Sequence, residues 1–269
     1  MMRLSRLLLS AVVLVPLSAQ TDLLDHGFRQ MYNLDFDGAH HTFREYQKLK
    51  PADPLGPVSD AAAYLFSEFD RLRILQSEFF VDNNSFFSMR RSIADPAVKA
   101  DFDQDLHRSE ELASTVLSTA PDDANALLAS VMRTGLHADY LSLIEKHNMA
   151  ALSEVKQGRT IAERLLSKHP DCYDGYLAIG LENYLLSLKP APVRWILHAT
   201  GAQTDRQAGI EKLRLTADKG HFFKPYARLL LAVAALRDKN KPEAGRILTW
   251  LSSEYPQNRL YREELARLQ

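Results

Sequence analysis

Apolar residues recur at three- and four-residue steps from about residue 22 to the end of the chain, with no sustained strand-type alternation, so the sequence predicts helices throughout. Within this texture one motif returns: a small residue, apolar or small residues four and seven positions later, and a proline twelve positions later. It reads Ala39, Phe43, Tyr46, Pro51; then Ser109, Ala113, Val116, Pro121; then Gly158, Ala162, Leu165, Pro170; and finally Ala244, Leu248, Leu251, Pro256. A small side chain lets two helices approach to the ~8–10 Å of packed axes, and the later residues fill the space between pairs. Prolines and glycines fall mostly at joints; a proline inside a helix costs ~3 kcal/mol. Helix pairs of this kind cannot bury their apolar faces alone, and stacked together they form an α-solenoid.

The expected fold is all-α, with about five antiparallel helix pairs and a C-terminal cap. Pair one spans 22–32 and 36–49, and pair two spans 59–76 and 95–119. Pair three starts at Ala124, turns near 135–138 and continues as a long helix to Lys168. Pair four begins at Tyr173 and takes 205–219 as its partner helix. Pair five spans 222–237 and 242–254. The last segment, 258–268, is amphipathic, and Arg259, Arg262, Glu263, Glu264 and Arg267 give it a polar outer face. Two insertions interrupt the series. Segment 79–87 holds four phenylalanines around a turn signal, and is either a plug on the stack or a lid over a groove. Segment 188–198 holds Pro190 and Pro192 beside Val193, Arg194, Trp195, Ile196 and Leu197, and either folds back or docks a partner, with Arg194 and Trp195 as its candidate contacts.

The residues of pair one carry a family resemblance. Gly27 in the first helix, Ala39 and Phe43 in the second and Pro51 at the close stand at the offsets of a tetratricopeptide repeat (TPR), and Tyr176, Ile179 and Gly180 match the large, apolar and small positions of its first helix. The chain resembles that family most in 22–51, 158–184 and 222–256, as degenerate repeats. Only the spacing from Gly220 to Pro256 approaches the ~34-residue period. The resemblance implies a groove whose wall is the exposed face of each first helix. On that mapping the wall comprises Phe28, Met31 and Tyr32, then Leu181, Tyr184 and Leu185, then Tyr226, Val233 and Arg237. Such a wall suits an amphipathic helix or an extended peptide and lacks the inward lysines and arginines of a carboxylate clamp. Alternatively, the same residues pack against inserted segments and fill the groove.

Residues 1–19 read as a cleavable signal peptide, with Arg3 and Arg6 ahead of the apolar run 7–15 and Leu17, Ser18 and Ala19 before the cut, leaving 20–269 as the repeat domain. No cysteine follows the cut to carry a lipid, so the expected address is the periplasm or the secreted space. Losing Arg3 and Arg6 moves the formal charge from −1 to −3, and Arg90-Arg91 is an isolated basic pair, which argues against nucleic acid. Cys172 stands alone, so stability rests on packing and not on disulfides within the chain.

Nine histidines raise the question of metal, yet His40-His41, His137, His147 and His169 lack ligand spacing and read as solvated. Neither a nucleophile turn nor a phosphate or dinucleotide loop is present, and the acid pairs Glu110-Glu111, Asp122-Asp123 and Glu263-Glu264 read as surface and capping groups. The expectation is therefore a non-enzymatic scaffold without cofactor or metal that binds a protein or peptide. Its alternatives are a small-molecule or lipid binder with an apolar pocket between helix pairs, lined by 79–87 and 193–197, and a hydrolase whose site is assembled from distant helices.

Overall fold

The computed structural model describes residues 18–75, 93–189, 193–195, 199 and 201–268. The expectations for residues 1–17, for 79–87, and for Pro190, Pro192, Ile196 and Leu197 lie outside them. The helices are α1 (Ser18–Tyr32), α2 (Phe36–Leu49), α3 (Leu55–Arg71), α4 (Pro96–Thr119), α5 (Ala124–Asp139), α6 (Asn148–Lys168), α7 (Tyr176–Ser187), α8 (Arg206–Lys219), α9 (Lys224–Arg237), α10 (Lys241–Glu254) and α11 (Arg259–Leu268). Several begin with a side chain that takes up an orphan backbone donor. Asp35 accepts from Gly38 N at 3.0 Å, Asp95 from Ala97 N at 2.8 Å, Asp123 from Ala126 N at 2.9 Å and Asp205 from Ala208 N at 3.0 Å. Each such cap is worth ~0.5–2 kcal/mol to its helix.

Each helix packs on the next in sequence, and α3 also touches α1 and α5, which gives a TPR-like stack of antiparallel pairs. The motif residues sit at the crossings: Ala39, Ala162 and Ala244 are fully buried, as are Leu165 and Leu251. The glycines there are demanded by close approach. A Cβ on Gly27 would lie 2.4 Å from the Phe43 ring. Gly180 and Gly209 face each other where α7 crosses α8, and a Cβ on Gly209 would stand 2.6 Å from Tyr184 N and 3.0 Å from Gly180 O.

The expected turn at 135–138 is absent. Helix α5 runs through Gly135 to Asp139 and continues as a π-helical turn, Tyr140–Ile144. One glycine costs a helix only ~1 kcal/mol, and the apolar series Leu136, Tyr140, Leu143 and Ile144 outweighs it. The reversal comes at 145–147, where Lys146 takes a left-handed conformation with φ of +62°. Helix α3 likewise starts earlier than expected, at Leu55.

The ends of the stack meet. Phe28 of α1 stacks on Phe222 with centroids 4.9 Å apart, Tyr32 lies 5.5 Å from Tyr255, and Phe66 of α3 lies 5.6 Å from Tyr226 of α9. One buried apolar cluster includes Leu24 and Phe28 near the start and Tyr255 and Tyr261 near the end.

Candidate functional site

Closure decides the fate of the expected groove wall. Phe28, Met31 and Tyr32 are buried in the cluster that joins the two ends, Tyr226 is half-buried beside them, and Val233 is buried on the wall of a small cavity next to Met31 and Tyr32. Tyr184 is buried elsewhere, with Leu213, Leu230 and Ala234 between α7, α8 and α9. A sequence signal for Tyr184 existed: it follows Gly180 by four, so both share the face of α7 that crosses α8. Leu181 and Arg237 are half-buried, and only Leu185 is exposed. The wall as expected is therefore not an open surface. Among the described residues, Phe222 and Tyr255 of the chain's last repeat cover Phe28 and Tyr32.

Polar contacts stitch the same seam. Arg29 donates to Glu254 Oε1 at 2.8 Å and to its carbonyl at 3.1 Å, and His221 Nε2 lies 2.7 Å from Asp25 Oδ1. Tyr32 Oη donates to Phe222 O at 3.1 Å, and Asn258 Nδ2 donates to Tyr32 O at 2.9 Å. Between these contacts lies a cleft of about 370 Å³ walled by Asp25, His26, Arg29, His221, Phe222 and Tyr255. The turn that forms its far side hangs on Asp174, a buried carboxylate that accepts from the backbone N–H groups of His221, Phe222 and Phe223 at 3.0–3.1 Å. Burial pushes this carboxyl above its ordinary range, and the three N–H bonds oppose the shift.

A second cavity, of about 30 Å³, lies deeper. Met31, Phe66, Leu75, Val233 and Leu236 wall it, together with Leu260, Tyr261 and Glu264 of α11. It has room for one or two waters and none for an acyl chain.

The histidine expectation fails at His40. Three helices each contribute a pair four residues apart to one junction: His40 and Arg44 from α2, Asp60 and Tyr64 from α3, Asp101 and Asp105 from α4. Asp60 is buried and engages His40 Nδ1 through one oxygen and Arg44 Nε through the other at 3.3 Å; Arg44 also donates to Tyr64 Oη. The His40 ring lies 4.0 Å from that of Tyr64. Burial, helped by the charges of Asp60 and Asp101 and opposed by Arg44, pushes Asp105 up to about 7. A His–Asp pair orients a general base in many sites, but here both Asp60 oxygens are bound within a closed network, which serves to register three helices. Linear spacing missed it because each helix supplies only two members. His137 is likewise paired, with Glu154 at 2.9 Å, and His169 Nε2 lies 2.7 Å from the Asp122 carbonyl. Among the described residues no group of three or more His, Cys, Asp or Glu is arranged to hold a metal ion.

The acid pairs divide. Asp123 caps α5, and Asp122 pairs with Arg164 and Lys168. Glu264 is buried, contrary to the outward face expected for it, and pairs with Arg267 at 2.7 Å. Cys172 is half-buried, and burial pushes its thiol up to about 11, which suppresses the reactive thiolate.

Among the described residues the largest exposed aromatic surface belongs to Trp195, 82% exposed, beside Val193 at 41%. Arg194 between them is half-buried and donates at 3.3 Å to the carbonyls of Ser187 and Lys189, which ties the insertion to the end of α7, where Leu185 is 40% exposed.

No family model and no curated protein matches the chain. Among solved structures it is similar to TTC0263, a thermophilic TPR protein of Thermus thermophilus, at 14% identity over 93% of this chain and 98% of that one, with a TM-score of 0.46. No helix among the described residues is long and apolar enough to cross a membrane.

Proposed function

We propose that the chain is a non-enzymatic helical-repeat scaffold of the cell envelope that binds a protein partner through the shelf formed by Leu185, Val193 and Trp195. The exposure of Trp195 carries this reading. A tryptophan held in solvent leaves a large apolar area unpaired, and tryptophan is among the residues that most often anchor protein interfaces. The partner offers an apolar anchor, as a helix or an extended segment. The address rests on Arg3 and Arg6 ahead of the apolar run 7–15.

The test is recovery of partners from an envelope fraction with wild type and with Trp195→Ala. Because Trp195 is exposed, the substitution should change stability by less than ~0.5 kcal/mol and leave the melting curve in place. A partner held by wild type and lost by the variant supports the shelf. Identical partner lists overturn it.

The seam cleft favours a second reading. Its volume of about 370 Å³ falls in the ~300–1,000 Å³ range of small-molecule sites, and its charged rim suits a polar ligand better than a lipid. Native mass spectrometry of purified protein checks this by the presence or absence of a bound mass.

A further inference from the structure

Helix α11 has the pattern of a ligand. Leu260, Tyr261 and Glu264 are buried, and Leu265 and Leu268 pack partly buried against the same core, while Arg262, Glu263, Ala266 and Arg267 face solvent. The buried positions fall at i, i+1, i+4, i+5 and i+8, one stripe of a helix. At ten residues α11 is below the ~12–15 that hold a helix in water unaided, so docking is what keeps it folded. Its seat is composite. Leu260 and Tyr261 share the small cavity with Met31 from α1, Phe66 from α3 and Val233 and Leu236 from α9, residues drawn from both ends of the stack.

The rim is polar and specific. Asn258 opens α11 by accepting from Leu260 N at 3.0 Å and donating to Tyr32 O, and Gln257 N donates to Asn33 Oδ1 at 3.1 Å. Arg259 donates to Asp70 of α3 at 2.7 Å. A basic residue one position ahead of an apolar–aromatic pair thus meets an acid on the wall.

We propose that the surface beneath α11 is a helix-docking site and that α11 is its intramolecular occupant, displaced by a partner helix of the same chemistry: a basic residue, an adjacent leucine–aromatic pair, and apolar residues four and seven positions after the aromatic. The displaced state opens the wall of Met31, Tyr32, Phe66 and Val233 that closure hides. This shares with the proposed function only the premise that the stack binds protein segments. It uses none of the shelf residues, so a failed Trp195→Ala experiment leaves it standing and its own failure leaves the shelf standing.

The probe is a fluorescein-labelled peptide with the sequence of residues 258–268, with a scrambled peptide as control. Full-length Asn258→Ala loses two hydrogen bonds that seat α11, and fluorescence anisotropy should show it binding the peptide about tenfold more tightly than wild type does. Asp70→Arg added to that variant should remove the gain. Equal binding to wild type and variant, or no binding to a variant whose circular dichroism and melting show an intact stack, overturns the proposal. If Asn258→Ala does not fold, hydrogen exchange of wild type decides. Amides of α11 that exchange ahead of those in α9 and α10, and faster still with excess peptide, support displacement; exchange of α11 only together with α9 and α10 overturns it.

Discussion

At the scale of single residues, the sites that decide stability are those where burial leaves no slack. Ala244 is fully buried where α10 crosses its neighbour, so Ala244→Leu should destabilise by ~1–3 kcal/mol through overpacking. Lys239, exposed in the turn before α10 at φ of +57°, sits in the left-handed region, and Lys239→Gly should stabilise by ~0.5–1 kcal/mol. Urea midpoints of the two variants measure both. Half-buried acids supply a pH dependence. Burial alone pushes Asp139 up to about 7, and Asp105 reaches about 7 beside Asp60. Between their ordinary range near 4 and about 7 the folded state binds more protons than the unfolded one, so these two groups make stability fall as pH rises through that window. Asp139→Asn should therefore raise the urea midpoint at pH 8, change it little near pH 4, and flatten the slope between. An Asn variant equally stabilising at both pH values would remove ionisation as the cause. The positions of both acids are plain in the sequence, but nothing there reveals their burial: Asp105 lies in a polar stretch of α4 and Asp139 beside an expected turn.

At the scale of helices, the crossings were legible because they depend on local spacing. Gly27, Ala39, Gly158, Gly180 and Ala244 all lie at contacts, where the repeat offsets place them. Two glycines within helices test the distinction between contact and exposure. Gly209→Ala drives a Cβ against backbone on α7 and should cost ~1–3 kcal/mol, whereas Gly135→Ala, whose Cβ meets nothing within 4 Å, should gain ~0.5–1 kcal/mol from helix propensity. Thermal melts shifting in opposite directions are the expected result. Glycine alone does not mark a break, which is why the expected turn at 135–138 proved to be helix. The π-helical turn that follows belongs to a register no apolar period announces. The junction of His40, Arg44, Asp60, Tyr64, Asp101 and Asp105 escaped for a related reason: each helix offers an ordinary i, i+4 polar pair, and only their convergence makes a network.

At the scale of the whole molecule, closure separates this chain from an open solenoid. Open repeat arrays unfold approximately as nearest-neighbour sums and can lose their ends first. Here Phe28, Tyr32, Phe222 and Tyr255 couple the first pair to the last. Phe28→Ala should cost ~3–5 kcal/mol and loosen both ends together, read as concerted loss of hydrogen-exchange protection in α1 and α9. Loss confined to α1 would mean the seam carries little coupling. The exposed Arg29–Glu254 ion pair adds little to this by itself, since exposed pairs contribute ~0–1 kcal/mol each. The spacing of residues was enough for most of the helices, though not for the run through Gly135 or the start at Leu55, and for the small residues at their crossings and the TPR-like stack, because each of these follows from contacts a few residues to one pair apart. Only the tertiary structure decided that the stack's ends meet, that Phe28, Tyr32 and Val233 lie inside instead of lining an open groove, and that α11 turns Leu260, Tyr261 and Glu264 inward. Those outcomes depend on rotations summed over successive pairs of unequal length, and a small change at each crossing, invisible in the spacing of apolar residues, sets where the two ends finish.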